Sequence, residues 1–114
     1  MLTIYHNPRC KKSRAGLAYL ENKTSDFEVV KYLNEPLTEE KLTELLKKMD
    51  KKPIEIVRKQ EDYYKKELKS KDLTDNELVR VMVRNPKLIG RPIVETDSKA
   101  ILAIPPEEIE KLFA

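Results

Sequence analysis

Residues Leu2-Thr3-Ile4-Tyr5-His6-Asn7-Pro8-Arg9-Cys10-Lys11-Lys12-Ser13-Arg14-Ala15-Gly16-Leu17-Ala18-Tyr19-Leu20 change structural character midway. Leu2–His6 is a short β-prone run that stops at Asn7-Pro8, because proline has no backbone donor and a central strand rarely continues through it. A helix is expected to start near Cys10 or Lys11, with Ser13, Leu17 and Leu20 at core-facing spacing, and to end at Glu21-Asn22-Lys23. Residues 27–33 (Phe-Glu-Val-Val-Lys-Tyr-Leu) read as a second strand. A strand, a helix and a strand in that order imply a parallel pair.

Working outward, Pro36 and Thr38 announce a second helix. Thr38 is its N-cap, Glu39 and Glu40 lie in the first turn, and Leu42, Leu45, Leu46 and Met49 make one apolar face. Pro53 is read as closing that unit. Residues 54–72 read as shorter, heavily charged helical pieces anchored by Tyr63, Tyr64 and Leu68. Thr74-Asp75-Asn76-Glu77 is a capping box, followed by Leu78, Val81 and Met82 on one face, and that helix stops at Asn85-Pro86. Gly90-Arg91-Pro92 punctuates the chain before a strand at Ile93-Val94; Asp97-Ser98 turns, and Ala100–Ala103 returns antiparallel. Pro105-Pro106-Glu107-Glu108 opens a last helix with Ile109, Leu112 and Phe113 as its buried stripe. The class is α/β. The order β-α-β, helical block over about 38–86, then β-β-α implies a mixed four-stranded sheet covered by helices, within one domain of 114 residues.

Composition excludes several functions. A hydrophobic fraction of 39% supports one core. Charged residues reach 38%, but 23 basic against 20 acidic leaves +3, so a dedicated nucleic-acid-binding surface is not expected. No apolar run approaches the ~20 residues that span a bilayer. The first strand begins at Leu2 and leaves no room for a signal peptide, so a cytoplasmic protein is expected, without membrane partners. Both glycines are isolated, so no dinucleotide-binding G-x-G-x-x-G loop exists and no bound cofactor is expected. With one cysteine and one histidine, no metal site is expected either.

The single cysteine rules out an internal disulfide. A lone Cys is usually a small buried hydrophobe. Cys10, however, lies between a strand end and a helix start, where free N–H groups and the helix dipole favour an anion. Arg9, Lys11, Lys12 and Arg14 flank it, and cations lower a thiol's pKa. Ser13 stands where a C-x-x-C motif carries its resolving thiol, so its hydroxyl is expected to hydrogen-bond the thiolate, and the second thiol must come from another molecule. His6, at the strand end, is a further candidate, weighed against a structural role.

His6-Asn7-Pro8-Arg9-Cys10-Lys11-Lys12-Ser13-Arg14 resembles the H-N-P-x-C-x-x-S-R signature of the glutaredoxin-dependent arsenate reductases, the ArsC family. The resemblance continues through Tyr32-Leu33-Asn34-Glu35-Pro36, Val57-Arg58-Lys59 and Gly90-Arg91-Pro92-Ile93-Val94, covering essentially the whole chain. It implies a thioredoxin-like fold with a helical insertion, and a cis Arg91–Pro92 bond that sets Arg91 beside the cysteine loop. It implies further that Cys10 attacks arsenate or a related oxyanion or disulfide, that Arg58 and Arg91 bind the oxyanion and stabilise the thiolate, and that His6 assists the thiol. Asn7, Ser13, Arg14 and Pro92 support that site. Glutathione would be the co-substrate, glutaredoxin the regenerating partner, and a monomer the working form.

One position departs from the pattern. Family reductases carry a third oxyanion-contacting arginine directly ahead of the proline that opens the last helix, where Ile104 stands here. A lost guanidinium weakens an oxyanion site. Two other readings follow: a redox-responsive Spx-like regulator that binds the RNA polymerase α subunit, and a degenerate family member without turnover. The regulator's C-x-x-C switch has Ser13 in place of its second cysteine.

Overall fold

The computed structural model describes residues 1–113. The chain divides into two compact units, one made of Met1–Glu35 with the chain from Arg91 onward, the other of Pro36–Gly90.

The first unit contains all four strands. β1 (Leu2–Tyr5), β2 (Phe27–Val30), β3 (Ile93–Glu95) and β4 (Ala100–Leu102) form one sheet in the order β2-β1-β3-β4. β1 runs parallel to β2, with Ile4 opposite Val29, and antiparallel to β3, with Ile4 opposite Val94. β3 and β4 are antiparallel. The sheet is therefore mixed, as the alternation of elements predicts. The parallel pair is joined by α1 (Lys11–Lys23), whose start at Lys11 matches the sequence reading.

Ile4, Leu20, Val94, Ala103 and Ile109 form the apolar centre of this unit. Each fully buried Leu or Ile of that set contributes about 1.5–3 kcal/mol. The buried face of α1 is Ser13, Gly16 and Leu20, with Leu17 only half-buried. Gly16 sits there because nothing larger fits: a Cβ on it would lie 2.4 Å from Pro92 Cγ. The Arg91–Pro92 bond is cis, as expected, and so is Ile104–Pro105.

Two expectations in this unit are corrected. The second strand ends at Val30 rather than residue 33, because the Lys31 carbonyl accepts from the N–H groups of both Asn34 and Glu35 and turns the chain. Tyr32 is nevertheless buried. The last helix is a 3-10 helix over Pro106–Leu112. Its three-residue repeat aligns Ile109 and Leu112 but carries Phe113 off that face. Phe113 is 45% exposed, and the Lys23 ammonium stands 5.6 Å above its ring.

The second unit is helical. α2 (Glu39–Met49) is capped by the Thr38 side chain, which accepts from the Lys41 N–H, and it buries Leu42, Leu45, Leu46 and Met49 as the spacing requires. It ends at Asp50, whose left-handed φ of 55° stops the helix before Pro53 is reached. Pro53 therefore opens the short α3 (Pro53–Ile56) instead of closing α2, since a first-turn proline loses no helical hydrogen bond. A π-helical turn covers Tyr64–Leu68. Leu68 is buried as expected, but Tyr64 is only half-buried and Tyr63 is exposed, and Ile56 and Val57 complete the anchoring. α4 (Asp75–Arg84) begins with the reciprocal Thr74–Glu77 capping box and buries Leu78, Val79 and Met82, with Val81 at the margin. Pro86–Leu88 continues it as a 3-10 turn.

Gly16→Ala separates helix propensity from packing. On an open helix face the change would stabilise by about 0.5–1 kcal/mol. Against Pro92 it is expected to destabilise the protein by about 1–3 kcal/mol, read as a lower urea midpoint with an unchanged slope.

Candidate functional site

The loop between β1 and α1 is built by hydrogen bonds that its own sequence supplies. The Asn7 carbonyl accepts from the Cys10 N–H at 3.0 Å, with Pro8 at the second position of the turn. The Asn7 side-chain oxygen accepts from the Arg9 N–H at 3.0 Å, an Asx turn within the same four residues. Arg14 returns from the first turn of α1 and donates through Nη1 to the Pro8 carbonyl at 3.0 Å. The Arg14 N–H in turn reaches the Cys10 carbonyl. Asn7 and Arg14 thus shape the loop rather than face a ligand.

This turn leaves Cys10 as the N-cap residue of α1, with extended backbone, a half-buried side chain and a free thiol. Burial pushes its pKa up. The N–H groups of Ser13 and Lys12 and the guanidinium of Arg91 outweigh that, and the net result lies below the ordinary thiol value. The neutral thiol makes no capping hydrogen bond of its own. These N–H groups act on the thiolate, as unpaired first-turn donors do for any anion at a helix start.

On sequence, free N–H groups at the helix start, Arg91 by the resemblance, and the four flanking side chains of Arg9, Lys11, Lys12 and Arg14 all share in this effect. All four side chains are exposed, where water screens them. The cation that counts is Arg91, only 6% exposed and hydrogen-bonded toward Cys10. It is brought there by the turn into β3, at the cis bond to Pro92 that packs on Gly16.

Ser13 also differs from expectation. Its hydroxyl does not serve the thiolate. Fully buried, it accepts from the Asn7 N–H at 3.0 Å and lies 2.7 Å from His6 Nδ1. Burial, followed by the charges of Lys31 and Arg14, lowers the His6 pKa, so the neutral ring is favoured. The hydroxyl and Nδ1 share one hydrogen bond, whose direction follows the tautomer of the neutral ring. His6 itself is 4% exposed, and its N–H is bonded to the Val30 carbonyl. Cys10, His6, Asn7, Ser13, Arg14, Arg91 and Pro92 therefore share the first unit. Arg58 belongs to the second, where its N–H donates to the Leu88 carbonyl at 2.7 Å and its Nε to Glu61 at 3.2 Å.

Sequence reasoning missed Gly16, and it pointed to free N–H groups at the helix start without assigning them to Lys12 and Ser13. A glycine inside a helix carries a propensity cost and signals close packing, so Gly16 was findable. Among the described residues, no group of three or more His, Cys, Asp or Glu side chains could hold a metal ion. No helix there is long and apolar enough to cross a membrane.

A mixed sheet with a cysteine at the N-terminus of its crossover helix and a cis-proline loop against that helix defines a thiol-chemistry scaffold. The chain belongs to the ArsC family, which it matches over residues 5–112. It is 43% identical over 108 residues to the uncharacterized protein YfgD of Escherichia coli (strain K12), covering 93% of this chain and 91% of that one. It is 38% identical over 114 residues to an arsenate reductase of Neisseria meningitidis serogroup A, covering 98% and 97% of the two chains. The solved structure of an arsenate reductase from Vibrio cholerae superposes with a TM-score of 0.90 at 38% identity, over 96% of this chain and 95% of that one.

Two measurements check the site. The Cys10 thiolate absorbance is expected to titrate below the ordinary thiol range, and its midpoint to rise in Arg91→Ala. Ser13→Ala leaves that midpoint near wild type and costs about 1–2 kcal/mol of stability, because it unpairs the Asn7 N–H and His6. An upward shift in Ser13→Ala as large as that in Arg91→Ala would restore the hydroxyl to the thiolate.

The lowered His6 pKa has its own signature. Below the ordinary value of 6.5, the unfolded chain binds a proton that the folded one resists. The His6 contribution to stability is thus present above that pH and lost as pH falls through the folded value. The pH slope of the urea midpoint in this window is expected to flatten in His6→Gln.

Proposed function

We propose that this chain is a thiol-dependent oxidoreductase of the arsenate reductase type, with Cys10 as its nucleophile. The observation that carries the reading is the convergence of the Lys12 and Ser13 N–H groups and the buried Arg91 on one lone thiol. Donors that hold a thiolate also suit a tetrahedral oxyanion. Family membership and relatives named arsenate reductase support the same substrate class.

In this reading the Cys10 thiolate attacks arsenate, a sulfur–arsenic bond forms, and an arsenate oxygen leaves as water. Glutathione then adds as co-substrate. Two thiols together deliver the two electrons that take arsenic from +5 to +3, and they end as a disulfide. Glutaredoxin reduces that disulfide and returns Cys10 as a thiol. No bound cofactor enters this sequence, since the electrons come from diffusing thiols. The need for glutathione and glutaredoxin suits a cytoplasmic protein, and one chain with one thiol suits a monomer. Arg91 and Arg58 are the guanidiniums proposed to hold the oxyanion, always charged and forked to match it. His6, neutral and bonded to Ser13, orders the loop from behind and assists the thiol through it.

The regulator reading has no observation in its favour. Its switch needs a second cysteine at position 13, where the Ser13 hydroxyl is engaged by His6 and Asn7.

Arsenate turnover with glutathione and glutaredoxin tests the proposal. It is expected in wild type and lost in Cys10→Ser; no turnover at millimolar arsenate would remove the arsenate assignment. Ile104 is 37% exposed ahead of Pro105, so an arginine there has room. Ile104→Arg is expected to raise kcat/KM for arsenate about tenfold or more, the worth of one charge-assisted hydrogen bond.

A further inference from the structure

Arg58 is held twice. Its backbone lies on a short antiparallel contact inside the second unit, where Val57 pairs with Ile89. The Arg58 N–H donates to the Leu88 carbonyl at 2.7 Å, and the Gly90 N–H donates to the Ile56 carbonyl at 3.0 Å. The chain then turns at once, the Glu61 N–H reaching the Arg58 carbonyl at 3.2 Å. That turn brings residue 61 back over residue 58. Glu61 Oε2 accepts from Arg58 Nε at 3.2 Å, and the two side chains are only 25% and 16% exposed.

The form of this contact is informative. A carboxylate that neutralises a guanidinium usually grips two of its N–H groups in parallel. Glu61 takes Nε alone, at the stem side of the group. Among the described residues, the Nη1 and Nη2 groups make no hydrogen bond or ion pair. Nε is therefore fixed, the plane of the guanidinium is set, and the outward fork remains available. A planar group with that edge uncommitted is suited to two oxygens of a tetrahedral anion.

We infer that Glu61 is a positioning residue that orients the Arg58 guanidinium so that its Nη1/Nη2 fork receives the substrate oxyanion. This deepens the proposed function and rests on Arg58 being an oxyanion ligand. Glu61 itself makes no contact with substrate. It acts by removing rotamer freedom from a long side chain before the anion arrives, which lowers the ordering cost of binding. What the function requires of it is an acceptor oxygen facing Nε, and its negative charge is incidental or mildly opposed.

That distinction makes the test. Glu61→Gln keeps an acceptor for Nε and removes the charge, whereas Glu61→Ala removes both. Arsenate kinetics are expected to show KM raised about tenfold in Glu61→Ala with kcat within about twofold of wild type, a loss in binding rather than chemistry. Glu61→Gln is expected to keep KM at or below the wild-type value. Equal urea midpoints for the two variants separate this from a folding defect. In parallel, the side-chain nitrogen resonances of Arg58 are followed by NMR as arsenate is added. The Nε–H signal is expected in wild type and Glu61→Gln, broadened by exchange with water in Glu61→Ala. The Nη resonances are expected to shift with arsenate in the first two at lower concentration than in the third.

Glu61→Ala with unchanged KM, or Glu61→Gln as impaired as Glu61→Ala, overturns the inference while arsenate turnover by the wild type leaves the function standing. If the wild type shows no turnover, the resonances decide: arsenate shifts that weaken in Glu61→Ala uphold the positioning role. Absence of any shift at Arg58 overturns it.

Discussion

The contact of Gly16 with Pro92 holds the candidate site together. A helix and a loop from opposite ends of the chain meet there at a distance that excludes even a methyl group. One turn before Gly16 is Ser13, whose N–H together with that of Lys12 faces Cys10. Immediately before Pro92 is Arg91. The closeness of one packing contact therefore sets how near a buried guanidinium comes to a thiol. Had residue 16 carried a side chain, the helix and the loop would stand further apart, and the charge pairing would weaken with distance.

A second layer of order comes from Ser13. Its buried hydroxyl joins the backbone of Asn7 to the ring of His6, and the Asn7 side chain closes the same loop on the Arg9 N–H. Cys10 is left as the N-cap residue, where the thiolate meets oriented N–H groups rather than mobile lysines. Fixed dipoles beside a half-buried side chain need no reorganisation when charge appears. Exposed cations do, and water screens them. The basic run around Cys10 thus contributes less to its acidity than two peptide groups and one distant arginine.

Much of this was legible in the chain itself. The β1-α1-β2 opening, the Thr38 and Thr74 caps and the α2 face all follow local rules of periodicity and capping, and they hold in the structure. Errors fall where a local signal competes with its surroundings. Pro53 punctuates the sequence in either direction, and only the left-handed Asp50 shows that α2 has already ended. Phe113 has the spacing of an α-helical stripe, but the extended Pro105 leads into a 3-10 helix with a different repeat. Ser13 was placed correctly and assigned the wrong partner, because its rotamer is chosen by His6 and Asn7.

The sequence by itself determined the class of the sheet, the position of the lone thiol at a helix start, and the residues that mark the family. Each of these depends on neighbours within a few positions, where backbone preference and periodicity decide. Only the tertiary structure decided that Arg91 outweighs the flanking cations at Cys10, why residue 16 is glycine, and that Glu61 holds Arg58 by a single edge. Those outcomes turn on distances between side chains. Arg91 lies 81 positions from Cys10 in the chain, and it becomes the partner because the sheet and the close approach of α1 bring the two together. Arg58 and Glu61 are near in sequence, yet spacing alone does not say which of five N–H donors a carboxylate will take.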